Sequence, residues 1–335
     1  MMRPDLRDPR LILLALAMLS LIPALAAPRI ATRRPSFDIL AVVDITGSMN
    51  VRDYLVAGRP VSRLDAVKTA LRALLAELPC PSHVGLGVFS ERRTFLLFEP
   101  IDACVDFAPL EASIEALDWR MAWEGDSRVS AGLFRAIDMA GQLKSDLLFF
   151  TDGQEAPPLP ARGAPTFDGR PGELRGLVVG VGGYELSPIP KFDDRGREIG
   201  FLGVDEVPHV SRFGLPPEGA ERREGYNARN APFGAAAPVG VEHLSSVKED
   251  YLRSLAGKTG LGYAHLDDGR RLWTDYAAVA SARMREADLD LRPLFGVAAS
   301  LFAFLAAAGP SFAMALVPML RAATLNRHPQ TGRYK

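Results

Sequence analysis

Two stretches of the chain, 11–27 and 294–320, are almost wholly apolar, and between them short apolar runs alternate with segments of helical period. The runs 37–43 (FDILAVV), 84–89 (VGLGVF), 94–98 (TFLLF), 146–150 (DLLFF) and 174–181 (LRGLVVGV) read as buried strands. They are too short for helices, rich in β-branched and aromatic residues, and closed by polar loops. The segment 94–98 follows Glu91-Arg92-Arg93, which suits a tight turn and an edge position. Residues 63–78 place Leu64, Val67, Leu71, Leu74 and Leu78 on one helical face, with Ser62 as N-cap, Asp65 three residues on, and Pro79 as the stop. Helical spacing also marks 129–143, 248–256 and 272–279, and 262–266 (GYAHL) reads as a last strand. Alternating strand and helix predict a doubly wound, mostly parallel α/β sheet, Rossmann-like in build, with helices on both faces.

Pro and Gly crowd 154–172 and 203–240, which read as loops, the second as an insertion on the scaffold. Between them 192–202 (FDDRGREIGFL) predicts a hairpin about Asp194-Arg195-Gly196. It is not a calcium-binding EF-hand loop, because the alternating acidic positions and the closing Glu are absent.

The first apolar run follows Arg3, Arg7 and Arg10 and ends in Ala24-Leu25-Ala26, a small-residue pattern like a signal-peptidase site. Residues 1–34 therefore read as an export signal or, uncleaved, as an N-terminal membrane anchor. The second run carries no charge across 294–320 and is expected to cross a bilayer as a helix kinked at Gly309-Pro310 and Pro318. Arg321, Arg327, Arg333 and Lys335 make 321–335 a basic tail, which points to the cytoplasm. Residues 35–285 would then form one domain outside the cytoplasm, facing the periplasm from a bacterial inner membrane. Cys80 and Cys104 both fall in it, where an oxidising compartment would permit a disulfide; two unpaired buried thiols are the alternative.

Lys+Arg 39 against Asp+Glu 40 leaves a formal net charge of -1, so nothing steers the chain toward nucleic acid. The candidate chemistry lies where strands end. In an open doubly wound sheet the carboxyl ends of the strands converge, and ligands bind there. Asp44, Thr46 and Ser48 alternate just past the first strand, Gly125-Asp126-Ser127 precedes a helix, and Asp152 follows DLLFF. Carboxylates and hydroxyls are hard oxygen donors that suit Mg²⁺ first, with Ca²⁺ or Mn²⁺ as alternatives, and no thiolate or imidazole among them favours zinc. Asp126 is a possible auxiliary ligand. The bland alternative is that Asp44 and Asp152 only cap turns.

The run Asp44-Ile45-Thr46-Gly47-Ser48-Met49, with Thr151-Asp152-Gly153 after a second strand, resembles the metal-ion-dependent adhesion site of von Willebrand factor A domains. The resemblance covers roughly 35–285 by element order. It implies that Asp44, Thr46, Ser48, Ser127 and Asp152 ligate one cation whose open position takes an acidic group of a protein client. Arg128 departs from the pattern, because a cation beside Ser127 opposes metal binding. Within that group WRMAWEGDSR, FTDGQEAPPLP and FSERRTFLLFEP resemble MxaL-type accessory proteins of methanol oxidation. That resemblance implies a role in maturation of quinoprotein methanol dehydrogenase, including calcium insertion, with that enzyme or its assembly proteins as client. The alternative is a structural envelope protein of the aerotolerance-operon type, working with an AAA-type ATPase.

The chain is not expected to be an enzyme. The histidines, His83, His209, His243, His265 and His328, show no metal-helix spacing, and neither a Gly-x-Ser-x-Gly elbow nor a Gly-x-x-x-x-Gly-Lys phosphate loop occurs. Trp119, Trp123 and Trp273 read as partly buried core residues, with anchors for a partner as the alternative. Asp44 is expected at a solvent-facing sheet edge, so that Asp44→Ala would abolish binding while leaving the fold intact.

Overall fold

The computed structural model describes residues 8–26, 28–56, 58–122, 126–159, 163–209, 215–216, 218–235, 240–267 and 272–325, the last of these by backbone alone from 309 onward. Trp123, Gly125 and the tail beyond 325 lie outside the described residues. The elements begin with helix α1 (Pro9–Leu25), strands β1 (Arg29–Ser36) and β2 (Asp38–Asp44), a hairpin of β3 (Tyr54–Val56) and β4 (Arg59–Val61), and α2 (Arg63–Glu77). There follow β5 (His83–Ser90), β6 (Arg93–Asp102), α3 (Phe107–Glu115), α4 (Val129–Gln142), β7 (Asp146–Thr151) and β8 (Gly176–Gly180). Around the insertion lie β9 (Ser187–Pro188), β10 (Pro190–Phe192) and β11 (Glu198–Phe201) before it and β12 (Leu244–Ser245) after it. Last come α5 (Glu249–Thr259), β13 (Gly262–His265), α6 (Leu272–Val279), β14 (Arg283–Asp290) and α7 (Arg292–Leu325). The chain divides into two units, Arg34–Arg285 and a second built from Met1–Arg33 with Glu286–Lys335.

In the larger unit six strands form one sheet in the order β13-β8-β7-β2-β5-β6. All neighbours run parallel except β6, which closes an edge antiparallel to β5. The apolar runs are continuous because both faces of the sheet are covered. Ile39, Ala41, Val43, Leu148 and Phe150 point to one side, with α2, α3 and α6; Leu40, Val42, Leu147 and Phe149 point to the other, with α4 and α5. Gly132 lets α4 come down onto the sheet, since a Cβ there would lie 2.1 Å from the Phe89 ring. The Ser62 hydroxyl accepts from Asp65 N at 3.1 Å and caps α2, as its spacing predicts.

The amino-terminal edge of the sheet carries a charge cluster. Asp38 at the start of β2 accepts from Arg283 Nη1 at 2.6 Å and Arg285 Nη2 at 2.7 Å, so the chain leaves this unit beside the point where it came in. Cys80 and Cys104 form a disulfide across a sequence separation of 24. A loop of that size restricts the unfolded chain by about 3 kcal/mol. Reduction is therefore expected to lower the unfolding free energy by about that amount, measured by urea melts with and without a phosphine reductant, while the site at the opposite edge keeps its affinity.

The described residues of the insertion 203–240 hold only short helical turns, Val204–Glu206 and Ala220–Arg222, in keeping with a loop, and small paired strands flank it. β10 pairs with β11 around Asp193 and Gly196, as predicted for 192–202, and Trp119 stacks on Phe192 at 4.4 Å. β9 pairs with β12, which returns the chain to the sheet's carboxyl edge.

In the smaller unit α1 packs on α7; β1 pairs with β14, two polar segments for which the sequence had suggested no strand. Among the described residues no helix is long and apolar enough to cross a membrane. The expected span over 294–320 has side chains described only to 308, fewer than the ~20 residues a bilayer needs; the rest of it lies outside the described side chains. The buried residues of this unit are small, Ala17, Ala299 and Ala306, whereas Leu14, Met18, Ile22, Val297, Leu301 and Phe304 are exposed.

Candidate metal site

Asp44 ends the central strand β2, flanked by β5 and β7, and its side chain is fully buried. This corrects the expectation of a solvent-facing position. The chain turns at Thr46–Asn50 directly after the strand, and this loop supplies two of the donors to the carboxylate. Asp44 Oδ1 accepts from Thr46 N at 2.9 Å and Thr46 Oγ1 at 2.7 Å, and Oδ2 from Thr151 Oγ1 at 2.7 Å. Burial, and after it the nearby Asp152 charge, push its pKa up to about 7 against the pull of these hydrogen bonds. Thr46 and Ser48 form a tight helical turn, with Met49 N donating to Thr46 O and Val51 N to Ser48 O.

Asp152 follows β7 and is also fully buried. Its Oδ1 accepts from Gln154 N at 2.9 Å; its Oδ2 accepts from Arg63 Nη1 at 2.7 Å and Ser245 Oγ at 2.9 Å. Arg63 had drawn no attention in the sequence. It is the first residue of α2, is fully buried, and spreads its guanidinium over Asp152, Ser245 and Asp53, with Asp53 Oδ2 at 2.6 Å from Nη2. Gly182, at φ +114°, leaves it room, because a Cβ there would sit 2.5 Å from Arg63 Nε. The available signal was position: Arg63 falls on the same helical stripe as Val67, Ala70 and Leu74, where a surface arginine does not belong.

Ser127 reaches the site by a different route. Its N donates to Ala156 O at 2.6 Å and its O accepts from Ala156 N at 2.8 Å, which pins the residue before α4 against the strand-end loop after β7. Ser127 is 3% exposed and its Oγ has no hydrogen-bond partner among the described residues. Arg128 is turned from it, with Nη1 donating to Pro157 O at 2.7 Å, and it lines a separate cavity with Arg92 and Ser130. The expected conflict between this cation and a metal is thereby reduced. Asp126 lies at the pocket with Arg92 Nη2 3.9 Å away.

Thr46, Ser48, Asp126 and Ser127 line one pocket of about 340 Å³, and Gln154, Glu155, Glu206 and Glu242 line it too. Asp44 does not line this pocket but is hydrogen-bonded to Thr46, which does, while Asp152 is engaged by Arg63. Among the described residues no group of three or more His, Cys, Asp or Glu stands placed to hold a metal; the donors gathered here are chiefly hydroxyls. The residues fit a hard divalent cation on two counts. An orphaned, buried Ser127 oxygen is costly without a partner. Asp53 and Asp152 share the one buried guanidinium of Arg63, whereas the buried Asp44 carboxylate beside them has only hydroxyl and backbone donors, and buried carboxylates require compensation.

The raised pKa of Asp44 has a sign that can be checked. A carboxyl held above its ordinary value near 4 in the folded protein costs nothing below that pH. The penalty grows as pH rises toward 7 and is constant beyond, because the unfolded chain releases the proton first. Metal-free protein is thus expected to melt several degrees lower at pH 8 than at pH 5, with the difference shrinking in Asp44→Asn; calorimetry in chelator measures both.

The fold and pocket define an open α/β domain with an oxygen-lined site at the carboxyl edge of its sheet. Residues 39–154, which include all five expected ligands, match the family model of the von Willebrand factor type A domain. An aerotolerance-related membrane protein from Bacteroides fragilis is similar in structure at 14% identity, covering 72% of this chain and 98% of that one, with a TM-score of 0.44. A von Willebrand factor type A protein from Catenulispora acidiphila shows 12% identity over 79% of this chain and 43% of its own, TM-score 0.39. A manganese-loaded TRAP protein from Plasmodium vivax shows 11% identity over 78% and 83%, TM-score 0.33. No curated protein matches the sequence.

Proposed function

We propose that the protein is a membrane-tethered binding module that holds one divalent cation, Mg²⁺ foremost, with Asp44, Thr46, Ser48 and Ser127, and presents it to an acidic group on a protein client. The observation that carries this reading is the unpartnered, buried oxygen of Ser127, a residue that lines the same pocket as Thr46 and Ser48, while the buried Asp44 is hydrogen-bonded to Thr46 of that lining. When bound, the cation supplies an electrophilic position that a client carboxylate can fill. Asp152 contributes charge from behind while Arg63 and Ser245 fix it. In this reading the module captures its client and leaves chemistry to it.

Two features support placement at the outer face of a bacterial inner membrane. A disulfide persists in an oxidising compartment, and one joins Cys80 to Cys104. Small residues between α1 and α7 with large apolar ones outside is the packing that helices adopt in lipid. On the resemblance to MxaL-type accessory proteins, the client is quinoprotein methanol dehydrogenase or a protein of its assembly apparatus.

Titration calorimetry of the full chain with Mg²⁺, Mn²⁺ and Ca²⁺ is expected to give saturable heat that chelator removes; no heat with any of them would refute the site. Pull-down with and without chelator tests the client. Metal-dependent recovery of a dehydrogenase-related protein is expected, and equal recovery in chelator counts against the reading.

A further inference from the structure

Three buried oxygens that lack a hydrogen-bond partner among the described residues belong to residues of a single pocket: Ser127 Oγ, Gln154 Oε1 and Glu155 Oε2. Folded proteins leave few buried acceptors unpaired, and each costs about 1–3 kcal/mol. Such a concentration asks for an electron-poor guest. Gln154 is 8% exposed, and its amide is oriented by its own donor: Nε2 gives hydrogen bonds to Glu242 O at 3.1 Å and Leu244 O at 3.4 Å, which turns Oε1 the other way. Glu155 is held with equal firmness, since Oε1 accepts from Ser130 N, Ser130 Oγ and Tyr251 OH, the last at 2.5 Å, and only Oε2 is left over. Burial pushes the Glu155 pKa up, with the Arg128 charge among the influences drawing it back.

We propose that Gln154 and Glu155 hold a second cation, a calcium ion, in the pocket beside the Asp44 position, with the Ser127 hydroxyl shared between the two ions. An amide oxygen, one carboxylate oxygen and a hydroxyl make a sparse, irregular set that Ca²⁺ completes with water, whereas Mg²⁺ demands near-octahedral order. Asp126, Glu206 and Glu242 line the same pocket and add negative potential. With a single fixed carboxylate the affinity is modest, on the order of 10⁻⁴ M, the range of extracellular calcium modules. The site has its own residues, Gln154 and Glu155, so it stands or falls apart from the Asp44 site. Its function is to tie the strand-end loop to the chain entering β12, which the Gln154 amide nitrogen already grips at Glu242 and Leu244.

Terbium(III), an oxygen-seeking ion of calcium's size, tests this in the detergent-solubilised full chain, because Tyr251 touches Glu155 and can transfer excitation to an ion bound there. Tyrosine-sensitised emission is expected, displaced by Ca²⁺, reduced about tenfold or more in Glu155→Gln and in Tyr251→Phe, and retained in Asp44→Asn. Emission that survives Glu155→Gln, emission lost in Asp44→Asn, or no displaceable emission at all overturns the proposal. Where Glu155→Gln loses its cooperative melt, Gln154→Met replaces it with the same expectation. Mg²⁺ calorimetry on the same variants scores the Asp44 site separately, so either site can fail alone.

Discussion

Asp44→Asn is expected to weaken Mg²⁺ binding on the order of 100-fold or more, since it removes the one carboxylate hydrogen-bonded into the Thr46 turn and with it a full charge from the ion's neighbourhood. Unlike the alanine variant, the amide keeps an oxygen for Thr46 N, and the Thr151 hydroxyl can reverse its role to accept from the new NH₂ group. The variant should therefore fold. In chelator at pH 8 its melting temperature is expected to equal or exceed that of the parent, because a buried anion facing Asp152 has been neutralised. Calorimetric titration gives the first quantity and thermal melts the second; undiminished Mn²⁺ and Mg²⁺ binding would show that the ion sits elsewhere.

The largest loss of stability is expected from Arg63→Met. That change keeps the aliphatic stem but strips five donors from between Asp53, Asp152 and Ser245, all of them buried or nearly so. Removing one partner of a buried ion pair leaves an uncompensated charge and costs about 3–5 kcal/mol. Arg63→Lys should recover little, since a single ammonium cannot reach both carboxylates in the fork geometry that the guanidinium fills. Urea melts measure the loss. A change of less than about 1 kcal/mol in Arg63→Met would mean that Asp53 and Asp152 find other partners.

Much of the sheet could be read from the chain because its strands are buried on both faces and so stand out as short apolar runs. The donors at its carboxyl edge were legible for a related reason: a carboxylate or hydroxyl directly after such a run has only one place to go. What remained hidden depended on partners far away in sequence. β1 (RIATRRPS) and β14 (RMREADLD) carry charge throughout and have no apolar face of their own; they pair with each other across some 250 residues. Arg63 looks like an exposed helix start until Asp53 and Asp152 close over it. Arg128 looked hostile to a metal because its direction toward Pro157 follows from the fold and from nothing local. Glu155 was passed over as a loop residue, although it sits three positions past Asp152.

Asp38 and Asp44 bound the same strand, one clasped by the arginines where the chain departs, the other hydrogen-bonded to Thr46 of the pocket. A client gripped at the pocket and pulling against that departure point would load β2 along its length. Both points lie on one strand, so such a load would run along the covalent backbone of β2 and would spare the hydrogen bonds that hold it to β5 and β7. The domain is thereby suited to hold a tugging cargo without itself coming apart.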